Sequence, residues 1–244
     1  YMESKETRRL RYEEIIKDEK QIAKEKLKHL GFNFDVLERF EVYQNLYQCN
    51  DFEKALEASK QFDSKKSNFS KTSFFYGEVT FLAIAQILQK LQFHIKRNSI
   101  FIDIGSGMGK TVFGAALLHN FKACIGIEIA KSLNDISMQI LDSHKAKFDH
   151  LNDKTVCHLI QFVNGDATMS EQFDWSIADL VFMNCTCFDS YLMSALREKC
   201  TLLKKGALVV TFTQCLQLPS FTTIEEFECE MSWGGATAIL SIKI

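Results

Sequence analysis

The chain has 244 residues, 46% of them hydrophobic and 25% charged, with a formal net charge of −2. This suits one large globular core, and no apolar run approaches the ~20 residues that span a bilayer. It excludes a uniformly basic nucleic-acid binder while leaving room for a local basic patch.

Taken in chain order, residues 1–30 read as a charged helix. A weak apolar stripe runs along it (Leu10, Ile15, Ile16, Ile22, Ala23, Leu27), and Gly31 stops it. Its density of Lys, Arg and Glu is unlike a secretory signal. Residues 35–62 predict further short helices, and Asp63 to Ser73 a loop. Residues 1–72 are therefore expected to form a helical extension.

From Tyr76 the pattern becomes an alternation of helices and strands. Helices are expected over Glu78–Leu91, Lys110–His119, Ala130–His150 and Asp189–Leu203. Strands are expected over Ser99–Ile104, Ala123–Glu128, His158–Val163, Asp179–Met183 and Ala207–Phe212. Thr223–Met231 and Ala236–Ile244 read as two closing strands with no helix between them. Continuous apolar strands between helices predict an α/β domain over 73–244, with a parallel sheet covered on both faces and an antiparallel edge. The eight cysteines form no C-x-x-C pair and lie mostly in apolar runs. They read as reduced thiols of an intracellular protein, with no metal site expected.

The chemistry gathers at strand ends. The first strand runs into Asp103-Ile104-Gly105-Ser106-Gly107-Met108-Gly109, where backbone must turn tightly and can lie against a ligand. Glu128, at the end of the second strand, is placed to accept hydrogen bonds from ribose hydroxyls. Asp166 follows the third strand on the same edge, where doubly wound sheets bind ligands. Together these residues suit a nucleoside-containing cofactor. Gly105 to Thr111 imitates a phosphate-binding P-loop, but three residues stand between the glycines where that motif needs four, and the fourth strand ends in Asn184 instead of Asp. A nicotinamide dinucleotide would want a last glycine where Thr111 and Val112 stand. An Asp ahead of the glycines suits S-adenosylmethionine, whose ammonium a carboxylate can hold.

Phe75-Tyr76-Gly77-Glu78-Val79-Thr80-Phe81 precedes the glycine loop. Gly126-Ile127-Glu128, Gly165-Asp166, Val181-Phe182-Met183-Asn184 and Ser232-Trp233-Gly234-Gly235 follow it. This order and spacing resemble the disruptor-of-telomeric-silencing family, non-SET histone H3 lysine methyltransferases acting on the nucleosome core. The resemblance covers roughly Ser73 to Ile244. It implies a seven-strand, Rossmann-like class I S-adenosylmethionine-dependent methyltransferase fold, with S-adenosylhomocysteine as the product.

By the same resemblance, Tyr76, Gly77 and Glu78 lie on a loop that closes over the methionyl end of the cofactor. Asp103, Gly105, Gly107 and Gly109 form the cofactor turn, Glu128 binds the ribose, and Asp166 receives the adenine amino group. Asn184 sits at the reaction centre, and Phe188 and Trp233 line a channel for the lysine side chain. Departures from the family pattern are Val79 for Thr, Lys110 for Gln, Ala167 for the aromatic that stacks on adenine, and Thr186 and Leu240 for channel aromatics. No lysine-rich tail for gripping DNA follows in this sequence. The expected partner is therefore a protein substrate, histone H3 in nucleosomes being the candidate, with weak or no DNA binding by this chain alone and no membrane. The location implied is the nucleus for a histone substrate and otherwise the cytoplasm. A methyltransferase of a non-histone protein or small molecule, and a non-catalytic cofactor-binding subunit, are the other readings.

Overall fold

The computed structural model describes residues 20–47, 51–61, 77–150, 157, 159–169 and 173–244. The expected loop over Asp63–Ser73, the first part of the charged helix and Tyr76 lie outside them. Residues 20–29 are helical (α1), and Gly31 follows with φ +80°. Helix α2 (Phe34–Gln44) opens at Asn33, whose side chain accepts the Val36 N–H. Helix α3 spans Asp51–Gln61. Leu27, Phe40, Tyr43 and Leu46 from this N-terminal part are buried in the same apolar cluster as the helices of the α/β domain.

Helix α4 (Phe81–Lys90) starts at Phe81, where the pattern suggested Glu78. The reason is local: Thr80 takes the cap, accepting the Ala83 N–H, and Val79 is drawn into a bridge with Met231. The strands are β1 (Ile100–Ile104), β2 (Ala123–Glu128), β3 (Ile160–Asn164), β4 (Leu180–Met183), β5 (Leu208–Phe212), β6 (Phe221–Met231) and β7 (Gly234–Lys243). Between them run α5 (Lys110–Leu118), α6 (Lys131–His150) and α7 (Ser190–Cys200). β7 begins earlier than expected because the Met231–Gly234 pair extends the ladder up to the two-residue turn Ser232-Trp233, and β6 begins earlier because Phe221 and Thr222 pair with Lys243 and Ile242.

The sheet order is β3-β2-β1-β4-β5-β7-β6. β1 to β5 are parallel, and β7 runs antiparallel to both β5 and β6. This is the class I methyltransferase arrangement, with the antiparallel edge that the two closing strands predicted. Side chains alternate between two cores: Phe101, Leu180 and Phe182 join the cluster beneath α4 and α5, while Ile102, Ile104, Val181 and Met183 join the cluster beneath α7. Burial on both faces explains why β1, β4 and β5 read as unbroken apolar runs. On α5, a Cβ added at Gly114 would lie 2.6 Å from Ile84 Cδ1, so the missing side chain sets how closely α4 approaches. The strand order reverses between β1 and β4, and a crevice opens there at the carboxyl edge.

Candidate active site

The crevice is a cleft of about 1050 Å³ between the ends of β1, β2, β3 and β4. After β1 the chain turns so sharply that the Gly105 and Ser106 N–H groups both donate to the Ile127 carbonyl, at 2.9 and 3.1 Å. Gly105 takes φ +76° and Gly109 φ +86°, conformations that favour glycine. At Gly109 a Cβ would also stand 2.6 Å from Phe162 Cζ. Gly109 caps α5 without a side-chain hydrogen bond, so the N-terminal turn of this helix brings backbone donors and the positive end of its dipole to the site.

Glu128 is buried, and backbone holds it in place. Its Oε2 accepts the Gly107 N–H and its Oε1 the Ala130 N–H, both at 2.8 Å. Burial pushes its pKa up, while these N–H groups oppose the shift. Asp103 is 2% exposed. Burial, and then the charge of Glu128, push its pKa up to about 8 against a lowering hydrogen bond with Thr111. Asp166 Oδ1 accepts both the backbone N–H and the hydroxyl of Thr168, at 2.8 and 2.7 Å. Ala167 is fixed by its carbonyl, which accepts the Trp175 indole N–H at 2.9 Å.

The segment before α4 forms the opposite wall. The Glu78 N–H donates to Ser232 Oγ and the Ser232 N–H to the Glu78 carbonyl, each at 3.1 Å. These bonds tie the segment to the β6–β7 turn. The Trp233 ring covers Gly77 so closely that a Cβ there would stand 2.7 Å from its Cε3. The Asn184 Nδ2–H donates to the Gly77 carbonyl at 3.3 Å, and its Oδ1 accepts the Thr186 hydroxyl at 3.1 Å. Phe188 lies 3.5 Å from where a Gly105 Cβ would sit, and the Gln214 Nε2–H donates to the carbonyls of Cys185 and Phe188.

Of the residues singled out in the sequence, Gly77, Glu78, Asp103, Gly105, Gly107, Glu128, Asp166, Ala167, Asn184 and Phe188 line one cleft. Gly109 and Trp233 stand behind that lining, each packed against one of its walls, and Tyr76 lies outside the described residues. Leu240 is buried in the sheet opposite Val210 and faces no channel. Sequence reasoning missed Lys110 as a member of the site. Its Nζ donates to Glu78 Oε2 at 2.5 Å and stands 4.9 Å from the Tyr47 ring centroid. It also missed Gln214, which holds the turn after Asn184, and Ser106, whose buried hydroxyl has no partner among the described residues. Lys110 was visible only as a departure from the family pattern; Gln214 belongs to no motif.

The family model described as "Histone methylation protein DOT1" matches residues 54–234. The chain belongs to the DOT1 family. Among DOT1 relatives it is 32% identical over 162 residues to "Histone-lysine N-methyltransferase, H3 lysine-79 specific" of Dictyostelium discoideum, covering 59% of this chain and 9% of that one. The protein of the same name from Drosophila melanogaster is 28% identical over 137 residues, covering 56% and 7%. The chain thus spans less than a tenth of the length of these relatives. Among solved structures, TrmN from Thermus thermophilus superposes with a TM-score of 0.52 at 15% identity, over 68% of this chain and 49% of that one. At that identity the likeness concerns the fold.

Proposed function

We propose that the chain transfers methyl groups from S-adenosylmethionine to a protein lysine, and that its substrate is histone H3 in the nucleosome, at the lysine-79 named in its relatives. The observation that carries the cofactor reading is the charge of the cleft. Among the described residues, its titratable lining is Glu78, Asp103, Glu128, Asp166 and Lys110: four acidic groups, of which Asp103 is held mostly protonated by burial until a cation lies beside it, and one cation. A pyrophosphate would set its charge against those carboxylates, which disfavours both a dinucleotide and a nucleoside triphosphate. S-adenosylmethionine carries a sulfonium, an ammonium and one carboxylate, the inverse of this lining. The partnerless Ser106 hydroxyl adds a hydrogen-bonding position that a polar ligand fills.

On this reading Glu128 holds the ribose, Asp166 and the backbone at Ala167 the adenine, Asp103 the ammonium, and Lys110 the carboxylate. When bound, the cofactor supplies an electrophilic methyl group on sulfur. The chain's own work is to bind, align and dehydrate. Gly77, Asn184 and Phe188 face the reacting end, with Trp233 bracing Gly77 and Tyr76 preceding it. The acceptor amine must be neutral to attack, and a free lysine is protonated at pH 7. Desolvation against Phe188 lowers its pKa. Alignment then carries the rate, with no dedicated general base.

Residues 1–72 are proposed as a helical extension and 73–244 as the catalytic domain, working in the nucleus. The test is a panel of acceptors with methyl-labelled cofactor: nucleosomes, free histone H3, and unrelated proteins or small molecules. Label in H3 of nucleosomes supports the proposal. Label only in other acceptors moves the substrate elsewhere, and tight cofactor binding with no transfer to any of them favours a non-catalytic subunit.

A further inference from the structure

The opposite edge of the sheet, where the parallel strands begin, holds a second cleft of about 640 Å³. His94, Lys96, Lys204 and Lys205 line it with Asp179. The turns that build this edge are tied together by backbone hydrogen bonds: Lys122 N–H to Ser99 O, Asp179 N–H to Ile100 O, and Leu208 N–H to Asp179 O. They therefore bring to one edge Lys122 ahead of β2, Lys96 and Arg97 ahead of β1, and Lys204 and Lys205 ahead of β5, with Asp179 ahead of β4 between the last two groups. Among the described residues, two carboxylates stand in the same turns. Asp179 is engaged by Lys204 at 2.7 Å and by the Ile100 N–H, and Asp174 caps a short 3-10 helix. The field of the patch reaches His119, whose pKa is lowered first by burial and further by Arg97, against a raising contact with the Lys96 carbonyl.

Helix C-termini gather at this edge and attract cations, and that accounts for Lys243, which donates to the carbonyls of Thr201 and Leu203. It does not account for Lys96, Arg97, Lys122 and Lys205, whose side chains make no ion pair or hydrogen bond among the described residues. Phe93, which precedes the lining residue His94 in the chain, is 91% exposed. An exposed apolar ring three residues ahead of Lys96, on the turn that carries two of the unengaged cations, is the combination that binds an unpaired base and its phosphates. An acidic peptide would use the cations and leave the ring idle.

We propose that this edge binds a single-stranded nucleic acid, with phosphates on Lys96, Arg97, Lys122 and Lys205 and a base stacked on Phe93. The site is separate from the cofactor cleft and independent of which acceptor is methylated. It also refines the expectation drawn from net charge, since folding gathers onto one edge cations that the linear count averages away.

Fluorescence polarisation on the full chain tests it, with a labelled oligo-dT strand, an oligo-U strand and a duplex of equal length. Four phosphate contacts predict that strand affinity falls about fifty-fold between 50 and 200 mM salt. Phe93→Ala should weaken the strands about tenfold and leave the duplex unchanged. The triple variant Lys96→Glu, Arg97→Glu, Lys205→Glu should lose at least about tenfold for every probe and flatten the salt slope, with cofactor affinity in calorimetry unchanged. If the triple variant does not fold, Lys122→Glu alone and the wild-type salt titration decide the matter. No strand binding at low salt overturns the proposal, as does binding indifferent to the edge variants. Displacement of the strand by an equal concentration of polyglutamate overturns it in favour of an acidic protein partner.

Discussion

Asp103 makes the cofactor reading testable through protons. Its carboxyl is buried beside Glu128, and its pKa stands at about 8. In the free protein at pH 7 it is therefore protonated about nine times in ten. Holding an ammonium requires the ionised form, so binding draws its pKa down and releases a proton. If only the ionised form binds, affinity at pH 7 is about tenfold below its limit, or about 1.4 kcal/mol, and at pH 6 about a hundredfold below. The ligand's own amino group titrates at about 7.7–8.0, so affinity should peak near pH 8 and fall again above it. Stability runs the other way. The unfolded carboxyl ionises near pH ~3.9 while the folded one stays protonated, so Asp103's contribution to stability declines as pH rises from there to about 8. The assay is calorimetry of S-adenosylmethionine binding from pH 6 to 8, in buffers of different ionisation enthalpy, which counts the released protons directly. Asp103→Asn should abolish the rise in affinity from pH 6 to 7 and the proton release, leaving only the fall set by the ligand's own amino group. An affinity flat across this range, with no buffer-dependent heat, would refute the reasoning.

Three further variants probe separate parts of the cleft. Asn184→Ala should lower kcat by about a hundredfold and leave cofactor affinity within a few fold, because its contacts position the reacting end; steady-state kinetics beside calorimetry separates the two. Gly77→Ala places a Cβ 2.7 Å from the Trp233 ring, which is partly exposed and can swing away. Turnover should fall at least about tenfold with little loss of thermal stability. Trp233 emission should shift to the red, which can be read because the chain has only one other tryptophan, the buried Trp175. Lys110→Met removes the cation from the lining and leaves Glu78 without that partner, so cofactor affinity should fall about tenfold, the worth of one charge-assisted hydrogen bond. Tighter binding by this variant would show that Lys110 does not meet the ligand's carboxylate.

The parallel strands were legible because both their faces are buried, so β1, β2, β4 and β5 read as apolar runs bounded by turns. The true start of α4 was not, because what stops it at Thr80 is a bridge to Met231, about 150 residues away in sequence. Site residues at strand ends, Asp103, Glu128 and Asp166, were legible from their spacing. Lys110 was hidden because a lysine in the first turn of a helix looks like any solvated charge until Glu78 is folded against it. The basic edge was hidden for the same reason: its members are scattered from Lys96 to Lys205, and only the sheet order makes them neighbours.

The β6–β7 hairpin explains why the closing strands matter to a cleft built at the ends of the parallel strands. Its turn presents Ser232, which holds the Glu78 backbone, and Trp233, which packs on Gly77. Gly77 in turn receives the Asn184 amide. Asn184 is thus reached from β4 on one side, and from the hairpin through Gly77 on the other. Its orientation depends on two segments that the cofactor turn does not contain. The glycine turn and Glu128, by contrast, are held by their own backbone hydrogen bonds. Cofactor binding should therefore tolerate disturbance of the hairpin better than methyl transfer does. A Trp233→Ala variant that lost both to the same degree would show that the hairpin shapes the whole cleft and not its reacting end alone.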